Sequence, residues 1–187
     1  MTELRDAGTR RQLYFSSYSA GPHAASIYGR AKFTLEKSLA GFDDVVIVRP
    51  GLVIGNGGLF GRLERLIRLL PLIPLPGGGE GLVPTIGIER LCELTLDLAS
   101  GHLESGEFNL FEPRLTNLRE LVLSVATRLG KKPILVPFPS NAALVALTVL
   151  ESLRLPLPVN VDNLRGFIAN QQAGHRSSLP AHGKDKI

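Results

Sequence analysis

Two side chains at helical spacing could do chemistry: the phenol of Tyr28 and the ammonium of Lys32, in the stretch Tyr28-Gly29-Arg30-Ala31-Lys32. Positions i and i+4 share one face of a helix. An ammonium beside a phenol favours the phenolate, so such a tyrosine is expected below its free pKa of about 10. A tyrosine tuned that way can pass a proton to or from a substrate hydroxyl or carbonyl near neutral pH. Tyrosine and lysine are also common on solvated helix faces, so the flanking elements decide what the pair means.

Upstream, Leu13-Tyr14-Phe15-Ser16-Ser17 reads as a short strand, closed by its serines and by Gly21-Pro22. A serine at the C-terminal end of a strand can point into the crevice where open α/β sheets place their ligands. Downstream, the helical pattern runs from Ala31 to Leu39, with Gly41 as its expected C-cap. Val45-Val46-Ile47-Val48 is a β-branched run of the kind buried on both faces of a sheet, and it is expected to break at Arg49-Pro50-Gly51 before Leu52-Val53-Ile54-Gly55. The order is strand with serine, helix with tyrosine and lysine, strand with Arg-Pro-Gly. That order is a βαβ unit with its polar residues gathered at one end.

These blocks resemble the NAD(P)-dependent epimerase/dehydratase proteins, the extended or atypical short-chain dehydrogenase/reductases. The matching stretches are Phe15-Ser16-Ser17, Tyr28 to Lys32, Val48 to Gly55, and Pro84-Thr85-Ile86-Gly87-Ile88-Glu89-Arg90-Leu91, where that family more usually has an Asp at the position of Glu89. The resemblance covers roughly residues 3 to 170 and only the latter part of the family's domain. It implies an α/β fold: a partial Rossmann-like parallel sheet with a small C-terminal α/β lobe. It also implies NAD or NADP as cofactor and a small-molecule substrate bearing a hydroxyl. By position, Tyr28 would be the acid/base, Lys32 would bind the nicotinamide ribose and tune Tyr28, and Ser17 would orient the substrate oxygen. Ser16 stands in reserve for Ser17 and on the cofactor side, with the backbone of Pro50, Gly51 and Val53 at the nicotinamide end.

Two departures from the family pattern follow. The Gly-rich dinucleotide fingerprint, expected on a first strand-helix turn well before the tyrosine, is not found, so the site is expected to lack what holds the pyrophosphate. Gly51-Leu52-Val53-Ile54-Gly55-Asn56-Gly57 imitates it, but the bulky residues between the glycines would obstruct a pyrophosphate, and no strand ending in a ribose-reading acid follows. The second departure is Leu52, where nucleotide-sugar enzymes of this family often carry an Asn. Nucleotide-sugar specificity is therefore left open.

The chain has 187 residues, 44% of them hydrophobic, enough for one domain with a core. The division expected is residues 1–172 as the C-terminal part of an epimerase/dehydratase-like domain, with Met1 to Gly8 as the tail of a helix, and 173–187 as a flexible tail. The sheet so formed leaves an edge open, to be completed by a missing N-terminal segment or a protein partner. A net charge of +4 is spread along the chain rather than gathered in a stripe with aromatics, which argues against nucleic acid. Arg62, Arg65 and Arg68 recur on a helix from Leu59 to Leu70 and read as a solvated face, with a substrate phosphate as the alternative ligand of one of them. Cys92 is expected to be buried, and His23, His102, His175 and His182 lack metal-ligand spacing. The longest apolar stretch, Ala142 to Leu150, is far short of the roughly 20 residues that cross a bilayer, so a cytoplasmic protein without membrane contact is expected, with a surface contact through Leu144 to Leu157 as the minor option.

The remaining elements read as a Pro/Gly-rich stretch from Leu70 to Gly81 with a plain turn at Gly77-Gly78-Gly79, and a helix from Ile88 to Ala99. A strand over Gly106–Phe111 follows, then a helix capped by Thr116 and running to Gly130, an extended run at Pro133–Pro137 and an apolar helix from Asn141 to Leu153. Two functions follow. One is an NAD(P)-dependent epimerase/dehydratase or oxidoreductase, incomplete as this chain. The other is a non-catalytic binding or assembly module built on the same scaffold.

Overall fold

The computed structural model describes residues 11–101, 105–153, 160–170, 174 and 176–179. Its first strand, β1 (Gln12–Phe15), leads through a loop into α1 (Ile27–Leu39), and the chain returns as β2 (Val45–Pro50). β1 and β2 pair in parallel, Tyr14 opposite Ile47 and Phe15 opposite Val48. This is the expected βαβ unit. Val45 to Val48 are all buried, as a β-branched run between two covered faces requires. β2 continues through Arg49 to Pro50 instead of breaking there: Pro50 has no N–H to lose at the strand end, and its carbonyl still accepts from Tyr18 N at 3.1 Å.

Next come β3 (Leu52–Ile54), α2 (Gly58–Leu69), β4 (Leu72–Pro76), a short 3-10 turn at Gly77–Gly79, β5 (Leu82–Val83), β6 (Thr85–Gly87) and α3 (Ile88–Ser100). The rest is β7 (Glu107–Leu110), β8 (Thr116–Asn117), α4 (Leu118–Arg128), β9 (Ile134–Phe138), α5 (Ser140–Ser152) and α6 (Val161–Asn170). β7 pairs in parallel with the far side of β2, giving a three-stranded sheet in the order β1-β2-β7. Among the described residues there are also three two-stranded pairs: β3 with β6 and β4 with β9, both parallel, and β5 antiparallel to β8.

The described residues form two cores. Val46, Val48, Ile86, Leu91, Leu98 and Leu110 fill the space between the parallel sheet and α3. Phe60, Ile67, Ile73, Leu75, Leu121, Val122 and Val125 form the second, where α2 and α4 cover β4. The second core is that of the small C-terminal α/β lobe. A two-stranded pair consists of edge strands alone, which is why β4 tolerates Pro74 and Pro76 within the Pro/Gly-rich stretch. The triple glycine adopts φ of 59°, 71° and 81°, a left-handed run open to glycine.

Three local expectations are corrected. Cys92 is exposed, because α3 turns Leu91 and Leu98 inward and leaves the next position on the outer face. The cap of α4 is Asn117, not Thr116. Asn117 Oδ1 accepts from Glu120 N at 2.8 Å and the Glu120 carboxylate accepts from Asn117 N, a capping box. α4 ends at Arg128, with Gly130 beyond it in a left-handed turn. α1 closes on Ala40 in a right-handed conformation, so Gly41 is not its cap.

Within the expected tail, Ser178 N donates to Asn109 O at 2.8 Å and Asn109 N donates back to Ser178 Oγ at 2.8 Å, so this piece lies along β7. Met1 to Gly8, His102, His175, His182, the end of the Leu144–Leu157 stretch and residues 180–187 lie outside the described residues. Among the described residues no helix is long and apolar enough to cross a membrane.

Candidate active site

The C-terminal ends of β1 and β2 lie side by side, and the ladder continues past β1. Ser16 N donates to Val48 O at 2.7 Å and Tyr18 N to Pro50 O, which places Ser17 between them at the rim of the sheet. The chain then turns: Ser19 N donates to Ser17 Oγ at 3.2 Å, Ser19 Oγ lies 2.8 Å from Ser17 Oγ, and Ala20 N donates to Ser17 O at 2.9 Å. The Ser17 hydroxyl is thus oriented by its own turn. Ser16 is buried, and its Oγ has no partner among the described residues.

α1 begins at Ile27 with Ser26 as its N-cap, whose Oγ accepts from Gly29 N at 3.0 Å. Arg30 Nη1 holds the loop before it through the carbonyls of Ala24 and Ala25, at 3.1 and 3.0 Å. Tyr28 is 51% exposed and so open to a ligand. Lys32, one turn on, places Nζ 5.8 Å from the Tyr28 ring centroid and 5.0 Å from that of Tyr14, within cation-π reach of both. Its firm contact is with neither ring: Nζ donates to Phe15 O at 2.7 Å, tying α1 to the end of β1. An ammonium has three donors, so two remain.

Behind the pair, Tyr14 turns its hydroxyl into an enclosed spot with no partner among the described residues. Burial first, then the charge of Glu36 and then Tyr28, hold its phenol above the usual range. Tyr18, raised by burial, stacks edge-on against Phe111 at 4.8 Å and donates from Oη to Gly174 O at 3.3 Å. Arg49 binds the buried carboxylate of Glu36. That hydrogen bond first, then opposing desolvation, then the nearby negative charges shape its raised pKa.

Tyr28, Lys32 and the strand end that carries Ser16 and Ser17 are therefore brought together. Pro50 and Gly51 lie at the same rim, Gly51 N donating to Leu110 O at 3.1 Å. A Cβ on Gly51 would sit 2.4 Å from Pro84 O, so this glycine answers a packing demand. Val53 packs its side chain against the core of the parallel sheet, and its backbone lies in the β3–β6 pair opposite Ile86. The look-alike motif is no loop: Gly51 and Gly55 flank strand β3, and Gly57 and Gly58 lead into α2. A depression of about 440 Å³ there is lined by Asn56, Arg62 and Arg65, and by none of Ser17, Tyr28 and Lys32. Arg62, Arg65 and Arg68 are exposed, as a solvated face requires.

Sequence reasoning missed Tyr14, Glu36 and Asp162. Glu36 stands four residues after Lys32 in the Tyr28-Lys32 line, a signal that could have been read. Tyr14 shares strand parity with Ser16, a weaker one. Asp162 gives no local sign.

No protein-family model matches the chain, and no curated protein matches it. Solved structures do share its fold. The UDP-glucose 4-epimerase of Thermotoga maritima, solved with UDP-glucose, is 22% identical with a TM-score of 0.54, over 72% of this chain and 52% of that one. The UDP-glucose 4-epimerase of Thermus thermophilus, in complex with NAD, is 18% identical with a TM-score of 0.57, over 93% and 68%. The dTDP-4-dehydrorhamnose reductase of Bacillus anthracis, in complex with NADP, is 15% identical with a TM-score of 0.57, over 86% and 64%. The chain spans about half the length of the first of these. What the likeness establishes is the fold: an α/β chain with the Rossmann-like parallel sheet of the nucleotide-sugar epimerases and reductases.

Proposed function

We propose that the chain carries the acid/base and nicotinamide-end portion of an NAD(P)-dependent epimerase, dehydratase or oxidoreductase site, acting on a substrate that bears a hydroxyl. The observation that carries this reading is the placement of Lys32, which is anchored to the end of β1 and faces the half-exposed Tyr28 ring at 5.8 Å. Several groups fit a nicotinamide riboside: the two donors of Lys32 not used by Phe15 O suit ribose hydroxyls, and the Ser16 Oγ, unpartnered among the described residues, and the rim backbone at Pro50 and Gly51 lie at the same strand ends. The similar structures solved with NAD or NADP point the same way.

A bound nicotinamide would supply the hydride acceptor. Tyr28 Oη would take the proton of the substrate hydroxyl and return it to the carbonyl oxygen. Ser17 Oγ, oriented by the Ser19 amide, would hold that oxygen in place. Lys32 would bind the ribose and hold it beside the Tyr28 ring. UDP-sugars and related nucleotide sugars are the substrate class suggested by the similar enzymes, with Leu52 arguing for a less polar contact at one position.

The second reading is a binding or assembly module, and it draws on β1, which pairs with β2 alone among the described strands. A further strand, from the same polypeptide or a partner, fits that free edge. Reduced nicotinamide mononucleotide separates the two readings, because it needs no pyrophosphate loop. Saturation transfer from the full chain to its ring protons is expected, weakened several-fold in Lys32→Met. Absence of transfer from the wild-type chain, or equal transfer from the variant, would favour the module.

A further inference from the structure

We propose that Asp162 is a positioning residue for Tyr28, fixing from the C-terminal helix the one turn of α1 that carries the phenol; the catalytic meaning of this rests on the reading above. The first N–H groups of any helix lack partners within it. In α1 the Gly29 N–H goes to the local cap Ser26, and Arg30 N already reaches Ser26 O at 3.1 Å. The two that remain both go to one carboxylate: Ile27 N donates to Asp162 Oδ1 at 2.6 Å and Tyr28 N to Asp162 Oδ2 at 3.2 Å. Charge-assisted bonds of this kind are stronger than neutral ones, and a negative charge at a helix start also suits the helix dipole.

Asp162 is itself held firmly. Val161 N donates to Glu151 Oε1 at 2.7 Å, Asn163 N donates to Asn160 Oδ1 at 2.7 Å, and Val161 and Leu164 are buried. Gly166 lets α6 approach closely: a Cβ there would stand 3.1 Å from Ser26 Oγ, the cap of α1. Tyr28 has half its surface in solvent, so its backbone is what fixes the phenol against Lys32. Asp162 supplies that anchor from 134 positions away. The acid/base group is thereby keyed to the C-terminal segment.

The test is nuclear magnetic resonance on the full chain, whose three tyrosines and lack of tryptophan keep the ring signals separable. In Asp162→Ala the Ile27 and Tyr28 amides are expected to exchange roughly tenfold faster or more, the loss of one charge-assisted hydrogen bond each. The Tyr28 ring signal should move while the Gly29 amide and the Tyr14 and Tyr18 rings stay. Asp162→Asn, which keeps one acceptor and the shape, should give the same pattern at smaller amplitude, and it decides the matter if the alanine variant does not fold. Unchanged exchange at Ile27 and Tyr28, or an equal response of all three tyrosine rings, would overturn the assignment. This readout involves no cofactor, so it stands or falls separately from saturation transfer to reduced nicotinamide mononucleotide.

Discussion

Arg49 holds Glu36 through two parallel hydrogen bonds, Nε to Oε1 at 2.8 Å and Nη2 to Oε2 at 2.7 Å, while its Nη1 reaches Glu107 at 2.7 Å. Glu36 continues the stripe of Tyr28 and Lys32 along α1, so this bidentate pair fixes the far end of the stripe onto β2 and β7. Asp162 fixes the near end. The helix that presents the phenol is thus anchored at both ends by carboxylates, one donated to it and one its own.

Removing only the cation leaves Glu36 as an unpaired buried charge. Arg49→Met is expected to destabilise the chain by about 3 kcal/mol or more in urea unfolding, whereas Glu36→Leu with Arg49→Met should recover most of that, because an apolar pair carries no desolvation cost. A single variant no worse than the double would show that the pair is not coupled.

Two glycines of the motifs are expected to resist alanine for steric reasons. At Gly29 a Cβ would lie 2.4 Å from Ser19 O and 2.9 Å from Ser26 Oγ, and at Gly51 it would lie 2.4 Å from Pro84 O. Alanine within a helix usually gains about 0.5–1 kcal/mol over glycine. Gly29→Ala should instead lose about 1–3 kcal/mol, as should Gly51→Ala, because backbone must move. Gly41, with nothing within 4 Å of such a Cβ, is the control and should change little. Thermal midpoints of the three variants check the ordering.

Much of this was legible in the chain because it is local. The four-residue spacing of Tyr28 and Lys32, the β-branched run at Val45–Val48 and the serines closing β1 each follow from one period or one turn signal. The α/β class followed from their order, and the small lobe from the family resemblance. What was not legible depends on distant chemistry. Nothing near Asp162 says that it meets Ile27, and nothing near Arg49 names Glu36 as its partner. The exposure of Cys92 turned on which of two adjacent positions faced the core, and the cap of α4 on which of two adjacent polar residues began the helix. Strand Leu72–Pro76 was hidden for another reason: Pro71, Pro74 and Pro76 bar a helix without announcing a strand, and only the pairing with β9 makes one.

Lys32 should separate function from stability. Its bond to Phe15 O is exposed, and exposed interactions of a lysine contribute at most about 1 kcal/mol. Lys32→Met is therefore expected to shift the urea midpoint only slightly while it lowers affinity for reduced nicotinamide mononucleotide. A large stability loss would assign the residue to the scaffold.

Tyr14 predicts the behaviour at alkaline pH. Its folded-state phenol titrates above the usual value, first because it is buried, and Tyr18 does likewise. The unfolded chain therefore releases these protons first as pH rises. Stability intact below about pH 10 should fall as pH climbs through the raised folded-state values. Tyr14→Phe removes one of the two contributions, so the alkaline loss should be shallower in the variant. At neutral pH the same change deletes a buried hydroxyl that has no partner among the described residues, and leaving such a group unmade costs about 1–3 kcal/mol. Phenylalanine is accordingly expected to be neutral or stabilising there, with the ring still over Lys32 at the same distance. Urea unfolding at neutral and alkaline pH measures both effects. A variant less stable at neutral pH by more than about 1 kcal/mol would mean that the hydroxyl is bonded after all.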